Sequence, residues 1–153
     1  MKLVLPSAQV TRITGAVRKA GRREVGGVLM GEHIGPDEFR ISDLTIQQHG
    51  GTFATFVRLV DSMVAPLRAF FARTGHDYAR FNYLGEWHSH HSFHLTPSRP
   101  DHQAMLQIVS DKAVGANFAV LLIVRLSEQG VLEHSLTVYL PSGDRFAGTV
   151  VSE

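Results

Sequence analysis

Two histidines and an aspartate in the second half of the chain have the types and the spacing to bind a metal ion. They lie in the run Glu86-Trp-His88-Ser-His90-His91-Ser-Phe-His94-Leu-Thr-Pro-Ser98-Arg-Pro-Asp101. If His88 and His90 end a β-strand, its two-residue period points both imidazoles to one side and turns Ser89 away. Ser98 has the character of a helix N-cap, with Pro100 and Asp101 in the first turn that follows. A strand end delivering two imidazoles and a helix start delivering one carboxylate can converge on one ion. Two nitrogens and one carboxylate oxygen suit Zn²⁺ with a fourth position left open, the arrangement of catalytic rather than structural zinc. The stretch points to a zinc hydrolase.

Each motif alone is weak. A His-x-His pair also occurs as two exposed or hydrogen-bonded strand residues, and Ser-x-x-Asp before an apolar helical pattern is ordinary capping chemistry. Metal-assisted hydrolysis further needs a group that takes a proton from the bound water and passes it to the leaving amine. The candidate is Glu24, at the head of Val25-Gly-Gly-Val-Leu-Met-Gly31; its plain reading is an exposed glutamate, paired with Arg22 or Arg23 or merely solvated. Glu86 shares the strand parity of the two histidines. It either supports a ligand or touches substrate, or is a solvent-exposed strand residue.

These residues need a sheet to hold them. After Ser7, the apolar residues Val10, Ile13, Ala16, Val17 and Ala20 recur at helical spacing, and Gly21 is a natural stop. Val25 to Gly31 reads as a buried strand whose glycines permit close backbone approach. Beyond the turn Gly35-Pro-Asp, a second strand carries Phe39, Ile41, Leu44 and Ile46, and its alternation slips near Ser42-Asp43, which predicts a bulge. His49 to Phe56 is a loop with a glycine pair, Phe53 and Phe56, and is a candidate flap over substrate. A helix over residues 58–73 carries the stripe Leu59, Val60, Met63, Leu67, Phe70 and Phe71, with Pro66 expected to kink it. Tyr83 to His90 is the metal-bearing strand, and Ser98 opens a third helix through Ala104, Met105, Ile108 and Val109.

Phe118 to Arg125 is almost continuously apolar, as a central strand buried on both faces must be. Val131 to Leu140 alternates, and one last short strand spans Phe146 to Val151. The expected fold class is α/β: a mixed sheet with flanking helices, in a single domain over residues 1–153.

Composition narrows the partners. With 153 residues, 44% of them hydrophobic, and a formal net charge of +1, there is no electrostatic case for nucleic acid or an anionic membrane. The absence of cysteine removes disulfides, thiol catalysis and cysteine-ligated zinc, and fits a cytoplasmic protein. The apolar run before Pro6 is too short for a signal peptide, and no run approaches the length of a membrane span.

Taken together, His88-Ser-His90, seven residues, Ser98, two residues and Asp101 resemble the motif of the JAMM (MPN+) metalloproteases. Glu24-Val-Gly-Gly-Val-Leu-Met-Gly31 resembles the segment that carries that family's catalytic glutamate. The resemblance extends over nearly the whole chain and is to a short prokaryotic JAB-type member. It implies a fold similar to the zinc-dependent nucleoside deaminases, a curved mixed sheet between helices in three layers. It implies one zinc per chain, held by His88, His90 and Asp101. It makes Glu24 the general base and acid, and Ser98 a hydrogen-bonding partner near the metal that helps stabilise the oxyanion.

The resemblance also implies a substrate: a ubiquitin-like protein cut at its C-terminal tail, joined to lysine or extended by extra residues. The Glu-Trp-His-Ser-His form resembles bacterial members encoded with activating (E1-like) and conjugating (E2-like) enzymes, including antiviral defence systems. Two other readings remain: a processing peptidase for sulfur-carrier proteins in biosynthesis, and a non-catalytic MPN interaction module. One position departs from the motif. His91 stands where the family usually has proline. His91 and His94 are candidates for substrate contacts or adventitious metal ligands, and neither is expected to bind the catalytic zinc. Phe53 and Phe56 are further substrate-contact candidates, beneath or within the flap.

Overall fold

The apolar run predicted for the middle of the sheet becomes β5 (Ala119–Leu126), buried on both faces as far as Val124. The computed structural model describes residues 1–47, 56–91 and 94–153, with residues 56–63 described by their backbone alone. Around β5 stand β1 (Lys2–Leu5), β2 (Gly26–Gly35), β3 (Glu38–Leu44), β4 (Phe81–Ser89), β6 (Leu132–Tyr139), β7 (Arg145–Ala147) and β8 (Thr149–Ser152). They form one sheet in the order β7-β6-β5-β4-β2-β3-β1-β8. The sheet is mixed: β4 runs parallel to β5, and β1 parallel to both β3 and β8, while the other pairs are antiparallel.

The helices are α1 (Ser7–Ala20), α2 (Phe56–Arg73) and α3 (Arg99–Ser110). Alternation along β5 sorts them. Val120, Leu122 and Val124 join Trp87, Leu29 and Ile41 in one cluster with Ile13 and Ala16 of α1. The opposite face presents Ala119, Leu121 and Ile123 to Met105, Ile108 and Val109 of α3, and Val28 and Met30 to Phe70 of α2. One helix therefore covers one face and two cover the other, which is the three-layer arrangement expected.

The predicted bulge is present. Met30 pairs with Asp43 and Gly31 with Ile41, so Ser42 is the extra residue on β3. A second bulge lies on β4, where Leu29 pairs with Gly85 and Met30 with Tyr83, leaving Leu84 over. Gly85 sits there at φ 150, and a Cβ on it would stand 2.0 Å from the Val120 carbonyl oxygen. That extra residue puts Tyr83 on the same face as Glu86 and His88.

Two elements depart from the sequence pattern. The first strand, β1, has no local signature: it has only four residues and is held between β3 and β8, neither of them near it in the chain. The single last strand expected over residues 146–151 is two, split at Gly148. β7 pairs with β6 at one edge of the sheet and β8 with β1 at the other. Since one residue joins them, the sheet curls until its edges meet, and the Gly148 N–H bonds the Leu136 carbonyl across the junction at 2.9 Å. The flap proposed over His49 to Phe56, including Phe53, lies outside the described residues apart from the backbone of Phe56, which opens α2. Among the described residues, no helix is long and apolar enough to cross a membrane.

Candidate metal centre

The site forms where β4 ends and α3 begins. In the parallel register Glu86 stands beside Leu121 and His88 beside Ile123, so both side chains project to the α3 face. Trp87 projects to the other face, where its indole N–H donates to the Thr45 carbonyl at 3.0 Å. Ser89 is turned from the metal side, as the two-residue period requires. β4 pairing with β2 ends at His88 opposite Gly26, and His90 lies one residue past the strand, its N–H donating to the Val124 carbonyl at 2.9 Å.

The glycines of β2 are steric necessities here. A Cβ at Gly27 would stand 2.1 Å from the Thr45 carbonyl oxygen. The Thr45 hydroxyl in turn accepts the Val28 N–H at 2.9 Å. Close approach at Gly27 thus lets Thr45 hold both β2 and the indole beside His88.

Ser98 caps α3 with a complete capping box. Its hydroxyl accepts the Asp101 N–H at 3.3 Å and donates to Asp101 Oδ2 at 2.6 Å, while its own N–H donates to the same oxygen at 2.7 Å. Pro100 occupies the first turn, where its missing N–H costs nothing. The cap fixes the carboxylate with Oδ1 at 3.7 Å from His88 Nε2 and Oδ2 at 3.9 Å from His90 Nε2. The two imidazole Nε2 atoms are 3.0 Å apart. His88, His90 and Asp101 are the group that could hold a metal ion among the described residues, with one ligand atom from each within 4.8 Å of the others.

The protonation states suit a cation. His90 Nδ1 lies 2.8 Å from the His94 carbonyl; a carbonyl can only accept, so a neutral His90 ring carries its proton on Nδ1 and offers Nε2 to a metal. Burial pushes His88 down to about 4, against the raising effect of Asp101 and with a further lowering from His90. Its imidazole is neutral at pH 7, as a ligand must be.

The remaining candidates fall out differently. Glu86 is 4% exposed, which removes the reading of a solvent-exposed strand residue. Burial first, and the Asp101 charge second, push its carboxyl up to about 8. Its Oε1 and the Tyr83 hydroxyl are both buried without a hydrogen-bond partner among the described residues. Glu24 is exposed, two residues before the glycine opposite His88, and stands outside the three-residue cluster. His91 is exposed beside the site and is not one of the ligand group. His94 contributes its backbone carbonyl to His90, and its side chain is exposed.

Two supports of the site have no signature in the sequence. His102 Nδ1 lies 2.7 Å from the Tyr139 hydroxyl, docking the first turn of α3 onto β6. Ser135 of β6 donates its hydroxyl to the Leu95 carbonyl, tying down the loop that follows His90. Both depend on β6 lying beside β5, which no local pattern announces.

Comparison with known proteins agrees with this geometry. Residues 6–138 match a family described as prokaryotic homologs of the JAB domain. The solution structure of a protein from Desulfitobacterium hafniense superposes with a TM-score of 0.66 at 19% identity, covering 99% of this chain and 92% of that one. At that identity the likeness concerns the fold. No curated protein matches the chain.

Proposed function

This chain belongs to the prokaryotic homologs of the JAB domain, and on that footing we propose that it is a zinc-dependent peptidase or isopeptidase. Its substrate is the C-terminal tail of a ubiquitin-like protein, within a bacterial conjugation system. The observation that carries the chemistry is the convergence of His88, His90 and Asp101, brought from a strand end and a helix cap. Their two Nε2 atoms stand 3.0 Å apart, Asp101 reaches one with Oδ1 at 3.7 Å and the other with Oδ2 at 3.9 Å, and one ligand atom from each residue lies within 4.8 Å of the others. Two neutral imidazoles and a carboxylate are also the donor set zinc takes when one position is left for substrate or water.

When bound, zinc supplies a Lewis acid and lowers the pKa of its water toward neutrality. Glu24, exposed at the head of β2, takes the proton from the attacking water and hands it to the departing amine. Ser98 orients that carboxylate through its hydrogen bonds to Asp101, and its hydroxyl donates to the developing oxyanion once its one proton turns away from Asp101 Oδ2. His94 holds the tautomer of His90 through its carbonyl. Attack is by water directly, so no acyl-enzyme forms. The Glu-Trp-His-Ser-His form, which resembles that of members encoded with E1- and E2-like enzymes, supports a conjugation system over the processing of sulfur-carrier proteins.

Metal content tests the ligand assignment. Zinc measured by elemental analysis should be one per chain in the native protein and in Glu24→Gln, and should fall to near zero in His88→Ala and Asp101→Ala. Full zinc in the two ligand variants would show that the ion binds elsewhere.

A further inference from the structure

We propose that Ser89 is a positioning residue for Glu24, acting through the backbone of Val25. The inference rests on the reading of Glu24 as the proton-transferring group. Ser89 is 3% exposed and lies between the two metal histidines, on the face turned from the ion. Its N–H donates to the Val25 carbonyl at 2.7 Å. The Val25 N–H returns a bond of 3.0 Å to the Ser89 hydroxyl.

In an antiparallel pair of this kind the second bond ordinarily goes to the opposite main-chain carbonyl. Here the side chain takes that bond, and the substitution has two consequences. Main-chain pairing of β4 with β2 becomes one-sided at Ser89, while β4 continues along β5, since the His90 N–H still reaches the Val124 carbonyl at 2.9 Å. This divergence turns His90 toward His88, bringing their Nε2 atoms to 3.0 Å, although two side chains of one regular strand face project in parallel. Val25, the residue directly after Glu24, is meanwhile clamped through both of its main-chain polar groups to the residue between the metal ligands. Glu24 precedes β2 and is itself exposed, so this clamp is the tie to the ligand strand that lies nearest to it in the chain. A misplacement of about 1 Å in a reacting group is enough to cost roughly 100-fold in rate.

The test compares Ser89→Thr with Ser89→Val. Both add a methyl group at one buried position, and only threonine keeps the oxygen. Native protein and both variants are to be compared in zinc content, in kcat and KM on a ubiquitin-like tail fusion, and in hydrogen exchange of the Val25 amide. We expect all three to hold one zinc. Ser89→Thr should keep native kcat and native exchange at Val25. Ser89→Val should lose about 10- to 100-fold in kcat with KM little changed, and its Val25 amide should exchange markedly faster.

Native kcat in Ser89→Val, or unaltered exchange at Val25, would overturn the proposal. Zinc loss confined to Ser89→Val would overturn it as well, by showing that the hydroxyl serves the histidines instead. If the native protein cleaves nothing, the reading of the site fails separately. The exchange at Val25 and the NMR resonance of the Glu24 carboxyl carbon, shifted in Ser89→Val and native in Ser89→Thr, then still decide whether the oxygen places Glu24.

Discussion

Two buried side chains on one strand face give the metal-free protein an unusual pH response. Burial holds His88 down at about 4 against an ordinary 6.5. Its contribution to stability is present above the unfolded value and is lost as pH falls from 6.5 through 4. Glu86 runs the other way, pushed up to about 8 from 4.5 by burial and by Asp101. A raised carboxyl contributes stability that is full below its unfolded value and is lost as pH rises through the folded one. Glu86→Gln removes only the second effect. With metal chelated, the melting temperature of Glu86→Gln relative to native should therefore rise by several degrees between about pH 4.5 and about pH 8.5. A difference that stayed constant across that range would contradict the assignment. The ligands themselves were legible in the sequence, because His-x-His and a capping Ser-x-x-Asp each state their own geometry. The burial of Glu86 was not. Alternation along a strand gives the side on which a residue lies, while its depth depends on what covers that side.

At the scale of elements, glycine placement separates tight contacts from turns. Gly85 sits at φ 150 in the β4 bulge, with the Val120 carbonyl oxygen 2.0 Å from where a Cβ would be. Gly21 closes α1 at φ 62 with nothing within 4 Å. Gly85→Ala must displace backbone in the centre of the sheet as well as hold a strained φ, and should cost about 4 kcal/mol; Gly21→Ala, at φ 62 and ψ −113, pays only for its backbone conformation, about 2 kcal/mol. Urea denaturation measures both, and equal costs would argue against the close strand contact. Helices and central strands were readable because their burial imprints a period: α1 from the spacing of Ile13 and Ala16, β5 from its unbroken apolar run. The bulge at Ser42 was visible as a slip in alternation. The bulge at Leu84 was not, since Tyr83-Leu-Gly carries no such slip. β1 escaped for a different reason: its four residues are a strand only because β3 and β8 flank them.

At the scale of the molecule, the curl of the sheet follows from one residue. Gly148 alone joins β7 and β8, which lie on opposite edges of the sheet order, and the sequence could not show that a single apparent strand serves both edges. The same architecture sets the site. The connection from β4 to the parallel β5 runs through α3, so the helix start returns to the strand end that carries His88 and His90, as ligand sites in α/β sheets generally lie at strand carboxyl ends. Whether that site performs hydrolysis is tested most directly by one cleavage measurement. Zinc-loaded protein is incubated with ubiquitin-like proteins extended beyond their C-terminal glycine, with and without chelator, beside zinc-loaded Glu24→Gln, and the products are read by intact mass. Hydrolysis at this site gives a single cut directly after the tail glycine, abolished by chelator and at least about 100-fold slower in Glu24→Gln. Cleavage that persists in chelator, or at native rate in Glu24→Gln, would contradict it.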